Sequence, residues 1–111
     1  MNEHDRKSLK AIKKHIYSIQ SYCKNCNGLD EFTSDPMLVE ACVFNIMQIG
    51  EISKSELSEE CKELITSIPW KQIYGMRNRI VHGYDGIKMR VVWDTICDDL
   101  PALLDEIDKA L

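Results

Sequence analysis

The 111-residue sequence predicts an all-α fold, a four- to five-helix bundle. Three observations predict it. Apolar residues recur at alternating steps of three and four, as a buried helical face requires. No segment shows the strict apolar–polar alternation of a half-buried strand. Helix start and stop signals, Asp35-Pro36, Pro69-Trp70 and Gly83 with Asp85-Gly86, divide the chain into helix-sized pieces.

The first helix is expected from Glu3 to Cys26, with Leu9, Ile12, Ile16, Ile19, Cys23 and Cys26 on one seam. Asn25, Asn27, Gly28 and Asp30 then break the pattern. Asp35 as N-cap and Pro36 at the first helical position open a second helix, Met37 to about Lys54. It is apolar nearly all round, leaving a narrow polar stripe of Asn45, Gln48 and Glu51. Such a helix sits at the centre of a bundle or under a second subunit. Ser58 opens a short third helix through about Ile65. Pro69-Trp70 begins a fourth that runs to about His82, where Gly83 stops it. The last spans Met89 to Leu111, with Val92, Ile96, Leu100, Leu103, Ile107 and Leu111 inward, and Pro101 demands a kink near Asp98-Asp99. Trp70 and Trp93 read as core anchors, and Met37, Met47, Met76 and Met89 as core fillers.

Composition narrows the class. A 44% hydrophobic and 29% charged chain with no linker, repeat or low-complexity tract is one globular domain, residues 1–111. No apolar run is long enough to span a membrane and no apolar leader opens the chain, so the expected site is the cytoplasm, away from membranes. An odd count of five cysteines fits that compartment. Cys23 and Cys26 have the C-x-x-C spacing of half a zinc site or a redox pair, but no second half of a zinc set and no βαβ context accompanies them, and they read as helix-face thiols. Neither a metal nor a cofactor is expected. His4 and His15 lie on the charged face of the first helix and are given no role.

The net charge of −4 disfavours a protein that coats nucleic acid nonspecifically. The distribution is more informative than the sum. Net charge runs +4 over residues 1–27, −7 over 28–70, +4 over 71–90 and −5 over 91–111. The first basic block reads as a solvated helix face. The second also carries a histidine and a tyrosine.

Arg77, Arg79, His82 and Tyr84 fall within eight residues at a helix end. Imidazole exchanges protons near neutral pH, as general acid–base catalysis needs, and Arg presents a planar fork that matches phosphate oxygens. Spacing alone leaves a plain reading open, with both side chains capping carbonyls or pairing with acidic neighbours. Arg77 and His82, five apart, do not share a face of a regular helix, whereas Asn78 and His82 do. Arg77 and His82 meet on one phosphate only if the helix unwinds near Gly83 or if two subunits each contribute a part.

Arg77-Asn78-x-x-x-His82-x-Tyr84 resembles the R-x-x-x-x-H-x-Y motif of HepT-like proteins, a branch of the HEPN (higher eukaryotes and prokaryotes nucleotide-binding) superfamily. The resemblance extends through Ile68-Pro69-Trp70-Lys71-Gln72-Ile73, Gly75-Met76, Val92-Trp93-Asp94-Thr95 and Asp99-Leu100-Pro101, and includes Gln48-Ile49-Gly50-Glu51. It covers about residues 38–108. One departure is Lys88, where relatives often carry an acidic residue opening the last helix.

The resemblance implies a homodimeric helical bundle with two motif copies at a composite cleft. It implies a metal-independent endoribonuclease acting as the toxin of a toxin–antitoxin pair, with a minimal nucleotidyltransferase (MNT-type) as antitoxin that attaches AMP to the tyrosine at position 84. On that reading Arg77, His82 and Asn78 are catalytic, Arg79 and Lys71 hold the RNA backbone, and Tyr84 is the AMP acceptor. The alternative is a non-catalytic nucleotide- or partner-binding module of the nucleotidyltransferase. A purely structural dimerisation bundle ranks last, because Arg77 and Tyr84 are costly choices for packing alone. Glu51 could face the cleft, but an ordinary solvated or salt-bridged glutamate is the default.

Overall fold

The computed structural model describes residues 1–83 and 86–111, and among them every regular element is helical. Helix α1 (Glu3–Tyr22) is capped by Asn2, whose side-chain oxygen accepts the Asp5 N–H at 2.7 Å. Leu9, Ile12, Ile16 and Ile19 are fully buried along it, at the three/four spacing that makes one face. The helix ends four residues before the expected Cys26. After Cys23 the chain closes a tight turn in which the Cys26 N–H bonds the Cys23 carbonyl at 2.9 Å. Asn25, whose side chain competes for backbone groups, stands inside that turn.

A one-turn helix, α2 (Leu29–Thr33), fills what the sequence presents as a break. It exists to insert Phe32, which is fully buried and lies 5.1 Å from the Trp93 ring. Helix α3 (Pro36–Ser55) begins as expected, with Asp35 accepting the Leu38 N–H at 3.1 Å. It is the central element, packed along α1 on one side and α5 on the other. Most of its apolar surface is thus covered within the chain, Ile46 included, but Phe44 is left 54% exposed. Met37 is exposed as well: in the first turn of α3, where Leu38 and Val39 turn to the core, it faces away, is 80% exposed and is not a core filler. Met47, Met76 and Met89 do pack against the core.

Helix α4 (Glu59–Leu64) is capped by Ser58, and the same residue ties it to α1. The buried carboxylate of Asp5 accepts both the Ser58 N–H, at 2.9 Å, and its hydroxyl, at 2.7 Å. Helix α5 (Trp70–Val81) follows Pro69, and the Trp70 indole donates to the carbonyls of Lys62 and Ile65 at 3.2 Å each. That bond satisfies carbonyls freed at the end of α4. The last helical segment breaks where Pro101 predicts. Helix α6 (Met89–Asp94) runs into a π-helical turn, Thr95–Asp99, before α7 (Leu100–Ala110). Pro101 lacks an N–H and its ring presses on the preceding turn, and the wider turn makes room for it. Helix α6 opens at Met89, as expected, although Lys88 gives it no side-chain cap.

Candidate active site

The site begins with a glycine. A Cβ on Gly50 would lie 2.4 Å from the Cβ of Arg77, so only glycine lets α3 and α5 approach this closely. One turn away the Tyr74 hydroxyl donates to the Ser53 carbonyl at 3.5 Å. Tyr74 beside Ser53 and Arg77 beside Gly50 mean that the two helices run antiparallel, with the end of α5 directed toward Phe44.

The guanidinium of Arg77 is held on two sides. Its Nε donates to Glu51 Oε2 at 2.7 Å, its Nη2 lies in ion-pair contact with the same oxygen at 2.7 Å, and Nη1 donates to Asn78 Oδ1 at 3.0 Å. Each terminal nitrogen carries two N–H groups, so the guanidinium keeps donors beyond those that hold it. The pair is only partly buried, with Arg77 at 23% and Glu51 at 43% side-chain exposure, so its contribution to stability is small. Its effect is on geometry: a long, flexible side chain is fixed in one orientation at the surface.

His82 is the C-cap of α5. Its backbone N–H still bonds the Asn78 carbonyl, at 3.1 Å, so the helix stays regular up to the histidine. Gly83 then takes φ 108°, a left-handed conformation that glycine adopts without strain, and ends the helix. The imidazole is exposed. The helix therefore does not unwind to bring Arg77 and His82 together. Asn78 touches both, through its side chain to Arg77 and its backbone to His82.

The other expected residues lie apart. Arg79, two positions from Arg77, faces the opposite side of α5 and lines a groove toward α7. Lys71 is exposed in the first turn, about 16 Å from His82 along the helix axis at 1.5 Å per residue. Tyr84, the expected AMP acceptor, lies outside the described residues. Glu51 is the residue that sequence reasoning passed over. It is salt-bridged, as the default held, but its partner is the motif arginine. The signal was there in Gln48-Ile49-Gly50-Glu51, whose glycine and glutamate both serve Arg77.

The C-x-x-C cysteines do not face each other. Cys23 Sγ lies 3.6 Å from the buried Cys42 Sγ, and Cys26 Sγ donates to the Gly28 carbonyl at 3.6 Å. Burial pushes the Cys42 and Cys23 thiols up, which keeps them as unreactive thiols. Among the described residues no three of His, Cys, Asp and Glu are grouped to hold a metal.

Comparison with known proteins places the sequence in a family. The profile of the family described as Ribonuclease HepT-like matches residues 12–110. The chain belongs to that family, within the HEPN superfamily. It is 37% identical over 84 residues to a candidate RNase of Caldanaerobacter subterraneus subsp. tengcongensis, covering 76% of this chain and 74% of the relative. It is 30% identical over 101 residues to a candidate ribonuclease HepT of Thermococcus cleftensis, covering 91% and 90%. A candidate RNase of Methanocaldococcus jannaschii is 27% identical over 110 residues, 91% of this chain and 97% of its own length. No solved structure matches. No described helix is long and apolar enough to cross a membrane.

Proposed function

We propose that this HepT-like chain is an endoribonuclease that needs no metal ion, and the toxin of a toxin–antitoxin pair. The observation that carries the reading is the Arg77 guanidinium, fixed by Glu51 and Asn78 with donors to spare, on the helix that ends at an exposed His82. RNA supplies its own nucleophile. An imidazole takes the 2′-hydroxyl proton as the O2′–P bond forms. The P–O5′ bond breaks, and the departing oxygen takes a proton from an imidazolium. Arg77 stabilises the charge that builds on the phosphoryl oxygens between those steps. The products are a 2′,3′-cyclic phosphate and a 5′-hydroxyl. Asn78 acts by orienting Arg77. Arg79 and Lys71 take outer roles, touching the RNA backbone away from the reacting phosphate.

A homodimer completes the site on this reading. The regular end of α5 favours two subunits over local unwinding as the route by which Arg77 and His82 meet. Phe44 on α3 and Val81 on α5, 54% and 48% exposed near the motif, are apolar surface for a second copy. The antitoxin partner is an MNT-type nucleotidyltransferase that attaches AMP to Tyr84.

Purified protein incubated with RNA in excess chelator is expected to leave cyclic-phosphate ends, and Arg77→Ala or His82→Ala to abolish them. Cleavage that requires added metal, or that survives His82→Ala undiminished, overturns the mechanism. Mass spectrometry after co-expression with the nucleotidyltransferase tests Tyr84: no added AMP, with Tyr84→Phe still inhibited, removes the modification. The net charge of −4 favours a second reading, a non-catalytic nucleotide- or partner-binding module. That reading gains if the chain binds the nucleotidyltransferase and cleaves no RNA.

A further inference from the structure

On the face of α5 away from Arg77, a groove of about 870 Å³ separates α5 from α7. The two helices run antiparallel across it. At one end the Ser67 hydroxyl donates to Glu106 at 2.7 Å, and at the other Arg79 lies with Thr95 and Asp99. Between these ends Ile46 and Ile49 of α3 line the groove. From Pro69 to Arg79 the groove is about 15 Å long at 1.5 Å per residue, the length of a three-turn helix. Its apolar lining is that of a helix-in-groove site.

Two further features specify the occupant. Each wall presents a small exposed residue, Gly75 on α5 and Ala102 on α7. An added Cβ on Gly75 would meet nothing within 4 Å, so packing within this chain does not require glycine there. Glycine in a helix interior costs stability relative to alanine. Gly75 instead leaves room for another backbone to approach. The second feature is charge. On the α7 wall Lys109 is paired with Glu106 at 3.4 Å, while Asp99 and Asp105 have no ion-pair partner among the described residues. The α7 side is net negative, and the facing α5 wall carries one cation, Arg79.

We infer that the α5–α7 groove docks an amphipathic helix of another protein, one that carries Lys or Arg along the flank facing Asp99 and Asp105. Its apolar residues, spaced i, i+3/i+4, i+7, sit on Ile46, Ile49, Ile73 and Leu103, and its backbone passes over Gly75 and Ala102. Docking here leaves Arg77 and His82 uncovered but occupies Arg79 at the groove's end. The groove thus shares a backbone contact with the proposed RNA surface without covering the reacting centre, and peptide binding reads it whether or not the ribonuclease reading holds.

The probe is a fluorescein-labelled helical peptide of about three turns with a leucine stripe and lysines on one flank, followed by fluorescence anisotropy. A twin peptide carries glutamates on that flank. The lysine peptide is expected to bind at least about tenfold more tightly than its twin, with an affinity that falls as salt rises. Gly75→Leu, which fills the groove from a position with free space, is expected to weaken binding at least about tenfold while the melting temperature is maintained or rises. Asp105→Lys, at an exposed position, should reverse the preference between the peptides and serves if Gly75→Leu folds poorly. Equal binding of the two peptides, no binding of either, or unchanged binding by both variants overturns the inference. Sedimentation equilibrium supplies the remaining outcome: a wild-type dimer that Gly75→Leu converts to monomer shows a second copy in the groove and overturns a foreign partner.

Discussion

Arg77 and Asp5 illustrate two uses of a charge held at short range. Glu51 adds little stability to a half-exposed pair, yet it decides where the Arg77 guanidinium points. On the proposed ribonuclease mechanism, Glu51→Ala is therefore expected to lower kcat for RNA cleavage by on the order of tenfold to a hundredfold, because small misplacement of a catalytic charge is costly. Glu51→Gln, which keeps an acceptor oxygen, should fall between it and wild type, and thermal melts of all three should nearly coincide. Asp5 is the opposite case, deeply buried and structural. Burial pushes its carboxyl up, but the bonds from the Ser58 N–H and hydroxyl, the bond from its own N-terminal turn and the nearby His4 outweigh it, and the net shift is downward. A carboxyl lowered on folding contributes stability that is present above the ordinary carboxylate value and lost as pH falls through the folded value. Asp5→Ala should cost about 2 kcal/mol at neutral pH, from hydrogen bonds to a charged group. In urea melts the gap between wild type and variant should narrow as pH drops below the ordinary carboxylate range. Little difference at neutral pH would show that the α1–α4 tie is unimportant.

At the scale of elements, legibility followed the kind of signal each one carries. Helices α3 and α4 could be read because Asp35 and Ser58 satisfy orphan N–H groups in a way the sequence announces. Helix α5 could be read because Gly83 marks its end. The one-turn α2 could not, since five residues carry no periodicity and only the position of Trp93, some sixty residues on, explains Phe32. The end of α1 was missed because Cys26 continues the three/four spacing although a turn, not a helix, carries it there. Pro101 gave away a break, but the π-helical form it takes depends on how α7 must pack. The α3–α5 contact shows the same division. Gly50 is visible in the sequence, whereas its necessity is visible only beside Arg77. Gly50→Ala forces the two helices apart and should destabilise the chain by about 1–3 kcal/mol, the range for overpacking. It should also displace Arg77 from Glu51, so RNA cleavage should fall more steeply than the folded fraction measured by circular dichroism. Loss of activity only in proportion to unfolding would separate the glycine from the site.

For the whole molecule, the motif residues could be named from sequence, but their division between faces could not. Arg77 and Arg79 are neighbours in a basic run, yet one turns to Glu51 and the other to the groove, because two positions on a helix lie about 200° apart. Neither the sequence nor one copy of the fold joins Arg77 to His82 at a single phosphate, and the dimer reading answers that gap. It makes a quantitative demand. If each reaction centre takes Arg77 from one subunit and His82 from the other, Arg77→Ala and His82→Ala proteins are each inactive, yet a mixed dimer carries one intact centre and one doubly defective one. Subunits mixed in equal amounts and exchanged at random yield half mixed dimers, so activity should recover to about a quarter of wild type, as two-fold symmetry dictates. Phe44→Glu, which places a charge on the apolar surface beside the motif, should prevent exchange and leave an inactive monomer with wild-type helical content. Were each centre contained in one chain, mixing would restore nothing and Phe44→Glu would remain active. The mixing ratio, not the inactivity of either single variant, therefore separates a composite centre from two independent ones.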